Sequence, residues 1–409
     1  MRGGSSSAAE HILEDATALL AGVESGGASL DDLLDSGLKY PELRRSVSNL
    51  AFAFFRRKRL IDGWIGRLAA RPPRPRLRRV LEAVLTQICF QDGIAPQSAV
   101  NVAVEFVKRS GRSGEAKFLN AVLRRALAEP VVPGEAPEEV LPPAVLARWR
   151  SRGPGVLAGL TTAFLAPAEF TFRAARGFEP GSLACEERSG YGGFRFFLAA
   201  DPAELLASEA LRRGDIYIQD PATSFAVSLP DYSRANRVLD LCAAPGGKSL
   251  MMAERLPEGA MLLAADRSAR RQRQTLDNFR RRGLAFPVVT ALPTEIEGEF
   301  DLVLADVPCS NTGVFRRRPD ALWRFNRGTL EKIVALQREI LEAAAERVAP
   351  GGELVYSTCS IEPEENIGQI TAFLEHHPEF SAGPSGQLLP TREADGAYAC
   401  LLRRNSNSI

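Results

Sequence analysis

The chain has 409 residues, 45% hydrophobic and 25% charged, with a formal net charge of +1. That is long for one core and points to two or three domains of ordinary soluble composition. No apolar run reaches the roughly 18 residues of a membrane span, Met1 to Glu10 lacks a signal peptide's apolar centre, and six cysteines without regular spacing make no disulfide framework.

A reducing cytoplasm is therefore expected, where thiols stay available for chemistry. Positive charge is clustered, at Arg56-Arg57-Lys58-Arg59, Arg71 to Arg79, Arg267 to Arg282 and Arg316-Arg317-Arg318. Arginine-rich clusters of this kind suit phosphate contact and tilt the chain toward nucleic acid.

In chain order, residues 11 to 128 read as helix. Apolar residues recur at three- and four-residue steps over Ile12–Leu20, Leu43–Leu60, Leu77–Phe90, Ala99–Lys108 and Ala116–Leu127. Breaks fall at Gly26-Gly27, Arg71-Pro72-Pro73, Gly93 to Pro96 and Gly111 to Gly114. The expected product is a helical bundle over residues 1–130. Its fragments Ala95-Pro96-Gln97-Ser98-Ala99-Val100-Asn101 and Phe118-Leu119-Asn120-Ala121-Val122-Leu123-Arg124-Arg125 resemble the RNA-binding NusB family.

Residues 131–143, with Pro133, Pro137, Pro142 and Pro143, have linker composition. A small α/β module is expected over 144–212, with a helix at Val145–Trp149 and β-like pieces at Glu169–Arg173 and Gly193–Leu198. From residue 213 to the end, strands alternate with helices. The strand candidates are Ile216–Gln219, Arg237–Leu241, Ala260–Ala265, Pro287–Thr290, Asp301–Ala305 and Gly352–Ser357. This alternation predicts a doubly wound, mostly parallel, Rossmann-like sheet.

Three stretches of this last region carry chemistry. Cys242-Ala243-Ala244-Pro245-Gly246-Gly247-Lys248 links a strand to a helix, and its glycines let backbone approach a ligand closely. A helix N-terminus following such a turn offers N–H groups to an anion. Asp266, closing the next strand, is suited to ribose hydroxyls. The turn is neither Gly-x-Gly-x-x-Gly nor a Walker A loop, so a nucleoside cofactor other than NAD or ATP is expected. Asp306-Val307-Pro308-Cys309 and Ser357-Thr358-Cys359-Ser360 each follow a buried strand, so two cysteines about fifty residues apart are expected to share one crevice. No Cys-x-x-Cys or Cys/His cluster exists, and no metal is expected.

These motifs, with Ile361-Glu362-Pro363-Glu364-Glu365-Asn366 and Gln219-Asp220-Pro221-Ala222-Thr223-Ser224, resemble those of the RNA (cytosine-5) methyltransferases. The NusB-like front end makes the chain similar to the bacterial Sun/Fmu type, which modifies small-subunit ribosomal RNA. The resemblance implies S-adenosylmethionine as cofactor, Cys359 as nucleophile toward cytosine carbon 6, and Cys309 as the residue aiding release. Sequence alone gives two cysteines, not their order of use. Asp306 is expected against the cofactor amine or the target base, with Lys248 holding it. Arg316, Arg317, Arg318 and Trp323 are expected to contact RNA, and the protein is expected to act as a monomer.

One departure stands out. The family commonly carries an acid after the third strand, where this chain reads Val288-Val289-Thr290-Ala291-Leu292-Pro293-Thr294, with none until Glu295. This leaves a second reading, a non-catalytic RNA-binding or assembly factor. A DNA cytosine methyltransferase explains neither the second cysteine motif nor the helical front.

Overall fold

Ser7 and Glu10 close a reciprocal cap at the start of the first helix, Ala8–Glu24, where each side chain takes the other's backbone N–H. Pro75 and Pro96 open Pro75–Phe90 and Pro96–Arg109, positions at which a missing N–H costs nothing. With Arg44–Leu68 and Ser113–Ala128, these helices bury the stripe that the apolar periodicity predicts, including Leu13, Leu20, Leu50, Phe54, Phe55, Leu81, Leu119 and Leu123.

The computed structural model describes residues 7–26, 28–110, 113–129, 134–181 and 183–406. The expected breaks at Gly27 and Gly111, the first residues of the expected linker and the extreme N-terminus lie outside them.

Two units result: residues up to Pro167 together with Phe315–Phe325, and Ala168–Val314 together with Asn326 onward. The linker composition of Pro137, Pro142 and Pro143 instead starts short helices, Pro137–Val140 and Pro143–Trp149. These and Pro154–Leu165 fall in the helical unit, so the division is drawn at 167 rather than at 143.

Within the helical unit, Phe315–Phe325 is a built-in piece. Phe315 is fully buried between Trp149 and Phe164, with ring centroids 5.8 Å from each. The Asp320 carboxylate accepts the Leu30 N–H at 3.2 Å, and the Trp323 indole donates to the Phe55 carbonyl at 2.7 Å.

The second unit begins with four short strands, β1 (Thr171–Ala174), β2 (Cys185–Arg188), β3 (Phe196–Ala199) and β4 (Ile216–Ile218), in an antiparallel sheet ordered β2-β3-β1-β4. The strand at Ile216 therefore does not join the parallel sheet as expected. Its alternating partners lie in β1, through Phe172↔Ile218 and Ala174↔Ile216.

The main sheet holds β5 (Arg237–Asp240), β6 (Met261–Asp266), β7 (Val288–Thr290), β8 (Phe300–Asp306), β9 (Val348–Thr358), β10 (Phe380–Leu388) and β11 (Ala397–Arg404). Their order is β10-β11-β9-β8-β5-β6-β7, parallel from β9 to β7 and antiparallel at β11 and β10. The chain runs outward from β5 to β7, then returns to β8 on β5's other side. That reversal opens a crevice at the carboxyl ends of β5 and β8, the place where such sheets hold ligands. Helices Gly247–Ala253, Ala269–Arg281 and Arg327–Glu346 accompany these strands.

Candidate active site

Parallel register brings the two cysteine motifs together. Asp306 ends β8 opposite Ser357 of β9, so the loops that follow leave the sheet side by side. The Cys309 and Cys359 sulfurs stand 2.9 Å apart. Gly313 makes the approach feasible: its N–H donates to the Cys359 carbonyl at 2.9 Å, and a Cβ there would lie 2.5 Å from that same oxygen. Asn311, at φ 61° the non-glycine residue with left-handed backbone among those described, donates its amide to the Cys309 carbonyl at 3.1 Å and turns its amide oxygen to Cys359 Sγ at 3.4 Å. The hydrogen bond with Cys359, burial and the negative charges of Cys359 and Glu365 push the Cys309 thiol well above the ordinary thiol range.

Lys248 reaches the same place. Its Nζ lies 2.6 Å from Asp306 Oδ2, while the Ser357 hydroxyl donates to Asp306 Oδ1 at 2.7 Å. Burial works against the lysine's charge, but the attraction and hydrogen bond of Asp306, then the charges of Cys359 and Asp240, outweigh it and raise its pKa. The expected holding of Asp306 by Lys248 is therefore seen directly.

The turn after β5 is shaped for a ligand. Gly246 sits at φ 94°, and a Cβ there would meet Thr275 Cγ2 at 2.9 Å, so only glycine fits. Gly247 would meet Gln219 Nε2 at 2.9 Å. Asp240 is buried at the end of β5; the Ser249 hydroxyl donates to its Oδ2 at 2.6 Å, and its Oδ1 has no protein partner. Burial lifts its pKa to about 7, against the lowering effect of Ser249. A buried carboxylate oxygen awaiting a donor suits the ammonium of an amino-acid-bearing cofactor.

Asp266 takes the Ser268 N–H at 2.8 Å and the Ala244 N–H at 3.3 Å, which ties the Cys242–Gly247 turn to the end of β6. Cys242 is half-buried against the core, and burial raises its pKa strongly. The helix after the turn runs only from Gly247 to Ala253, so glycine and carboxylate groups, more than a helix end, define this part of the site.

Arg316, Arg317, Arg318 and Trp323 lie in the helical unit. Arg316 is fully buried, Arg318 pairs with Asp31 at 3.0 Å, and the Trp323 N–H is spent on Phe55. Arg316 thus has no exposed surface here, while the Trp323 ring is half-buried. Glu295 accepts the Leu292 N–H at 2.7 Å in its own turn. His377 is half-buried, stacks on Phe373 and lies 2.6 Å from Glu342. Among the described residues no group of side chains is arranged to hold a metal ion, and no helix is long and apolar enough to cross a membrane.

Sequence reasoning gave no role of their own to Asp240 and Asn311, which lie within its motifs, and passed over Gln337. It quoted Glu365 only as part of a motif.

Residues 229–396 match the 16S rRNA methyltransferase RsmB/F family and residues 11–128 the NusB family. Among solved structures, that of PH0851 shares the fold over 98% of this chain and all of its own, with a TM-score of 0.76 and 23% identity. A methyltransferase homolog from Pyrococcus horikoshii covers 64% of this chain and all of its own, with a TM-score of 0.54 and 23% identity. In Vibrio cholerae, ribosomal RNA small subunit methyltransferase B is 38% identical over 50% of this chain and 49% of its own length. The cofactor is S-adenosylmethionine, which the glycine turn and Asp240 fit. With 32% identity to the Xanthomonas campestris protein across 96% of both lengths, the chain belongs to the ribosomal RNA small subunit methyltransferase B family.

Proposed function

We propose that this protein methylates carbon 5 of a cytosine in small-subunit ribosomal RNA, as a cytoplasmic monomer, through a covalent bond between Cys359 and carbon 6. The observation that carries the reading is the 2.9 Å separation of the Cys309 and Cys359 sulfurs at the carboxyl ends of neighbouring parallel strands.

Carbon 5 of cytosine is a poor nucleophile. Addition of the Cys359 thiolate to carbon 6 turns the ring into an enamine whose carbon 5 accepts a methyl group. S-adenosylmethionine, when bound, supplies that methyl as an electrophilic sulfonium group, and Asp240, Asp266 and the Gly246 turn are the residues that would hold it. Lys248 stabilises negative charge at Cys359 and Asp306 before attack.

Cys309 begins as a thiol. The adduct removes the Cys359 hydrogen bond and its charge, two of the influences that, with burial and the Glu365 charge, hold Cys309 protonated. Cys309 then yields its own proton to solvent and accepts the one leaving carbon 5. The electrons of that carbon–hydrogen bond restore the ring double bond and expel the Cys359 thiolate.

Mapping 5-methylcytosine in small-subunit ribosomal RNA with and without the protein tests this reading. One cytosine should lose its methyl group when the protein is absent. Methylation at nitrogen or ribose oxygen instead would overturn it.

A further inference from the structure

Beyond the effect of its charge on Cys309, the carboxylate of Glu365 is fully buried beside both cysteine loops. Its Oε1 accepts the Ser310 N–H at 2.7 Å and the Gln337 side-chain amide at 3.0 Å. Its Oε2 accepts the hydroxyls of Ser310 and Ser360. Ser310 directly follows Cys309, and Ser360 directly follows Cys359, so one carboxylate grips the neighbour of each sulfur. Gln337, from helix Arg327–Glu346, also donates to the Pro308 carbonyl at 2.9 Å and fixes the Cys309 loop from its other side.

The arrangement extends outward from the carboxylate. Ser360 Oγ accepts the Glu362 N–H at 3.0 Å, and Thr312 Oγ1 lies 3.0 Å from Ser360 Oγ while accepting the Ile361 N–H at 3.1 Å. The Tyr356 hydroxyl holds the Glu365 carbonyl at 2.7 Å, which anchors the residue to β9 itself. A buried charge is tolerated when its acceptor sites are filled, and here four donors fill them. A charge adds strength and direction to every bond it accepts.

We propose that Glu365 is the positioning residue of the two-cysteine centre: by binding the residues after Cys309 and Cys359 at once, it sets the sulfur–sulfur separation on which release of the covalent adduct depends. It touches neither substrate nor cofactor and acts through the two loops. The proposal rests on the two-cysteine reading given above, and its test separates the two.

The test compares wild type with Glu365→Gln, Ser310→Ala and Cys309→Ala in full-length protein. For each, turnover and KM are measured on ribosomal RNA, donor affinity is measured by calorimetry, and the covalent protein–RNA species is scored on denaturing gels. A direct geometric readout needs no RNA: diamide takes two electrons and two protons from the thiol pair, and mass spectrometry follows the Cys309–Cys359 disulfide. Glu365→Gln keeps the reach of the side chain and removes its charge. It should lower turnover by about tenfold to a hundredfold, as loss of alignment by about an ångström does. Donor affinity should stay within about twofold, and KM for RNA should fall along with turnover because the covalent species accumulates. Covalent adduct should accumulate, and the disulfide should form several-fold more slowly.

Ser310→Ala removes the hydroxyl grip on one loop, leaves the backbone N–H bond to Glu365 in place, and should move each readout the same way by less. It decides the matter if Glu365→Gln fails to fold. Wild-type turnover, adduct level and disulfide rate in the folded variants overturn the proposal, as does a parallel loss of donor affinity and turnover. If Cys309→Ala itself accumulates no adduct, the two-cysteine reading has failed. If Cys309→Ala traps adduct and the folded Glu365 and Ser310 variants behave as wild type, only the role of Glu365 has failed.

Discussion

Lys248 and Asp306 meet at 2.6 Å, although one opens the helix after β5 and the other closes β8. The ion pair spans the gap between the cofactor turn and the cysteine loops, so it senses both. Lys248→Met should reduce turnover on the order of a hundredfold, the loss expected when a charged partner of the reacting groups is removed. Because the lysine's charge favours a thiolate nearby, its loss should move the acidic limb of the pH–rate profile to higher pH. A pH series of single-turnover rates checks this; an unshifted limb would assign Lys248 to cofactor contact alone.

The two cysteines should give opposite phenotypes. Cys359→Ala should abolish methyl transfer and form no covalent RNA species. Cys309→Ala should form the bond and fail to release it, so RNA migrates with the protein on a denaturing gel. Full activity in Cys359→Ala would contradict the assignment.

Asp240 makes stability depend on pH in a direction that can be stated. Burial raises its pKa from 3.8 to about 7 in the folded protein. The folded chain then binds more protons than the unfolded chain between those values. Stability from this group is therefore present below 3.8 and is lost as pH rises through about 7. Asp240→Asn should flatten the fall in unfolding free energy, read from urea titrations, between about pH 5 and 7, by an amount on the order of a few kcal/mol at most. It should also weaken S-adenosylmethionine binding, measured by calorimetry, because the amide carries no charge and leaves one oxygen for both Ser249 and the cofactor ammonium.

Trp323→Phe keeps an aromatic ring and loses the N–H that Phe55 accepts. It should cost about 1 kcal/mol of stability, read as a lower melting temperature. The salt dependence of RNA binding should stay as in wild type, since this side chain is held by protein.

Much of this was legible in the residues themselves. The glycine turn and both cysteine motifs are contiguous stretches whose chemistry is local, and parallel strands needed only their alternation with helices to be found. What resisted reading was burial. Arg316-Arg317-Arg318 looks like a solvated patch until Arg316 is seen inside the helical unit. Glu364 and Glu365 are equivalent on paper, yet one is exposed and the other lies at the centre of the cysteine loops. Strand β10 was missed because Gly383, Pro384 and Gly386 break its pattern; it is an edge strand whose register shifts between Ala382 and Ser385, where such residues are tolerated.

Phe315–Phe325 belongs to the helical unit although the chain on either side of it belongs to the other. No single cut can therefore divide the protein into its parts. Ending the chain at Pro167 would strip Trp149 and Phe164 of the ring they enclose and leave the Leu30 N–H without its carboxylate. A faithful dissection must carry that short excursion along with the front half, grafted back through an engineered connection.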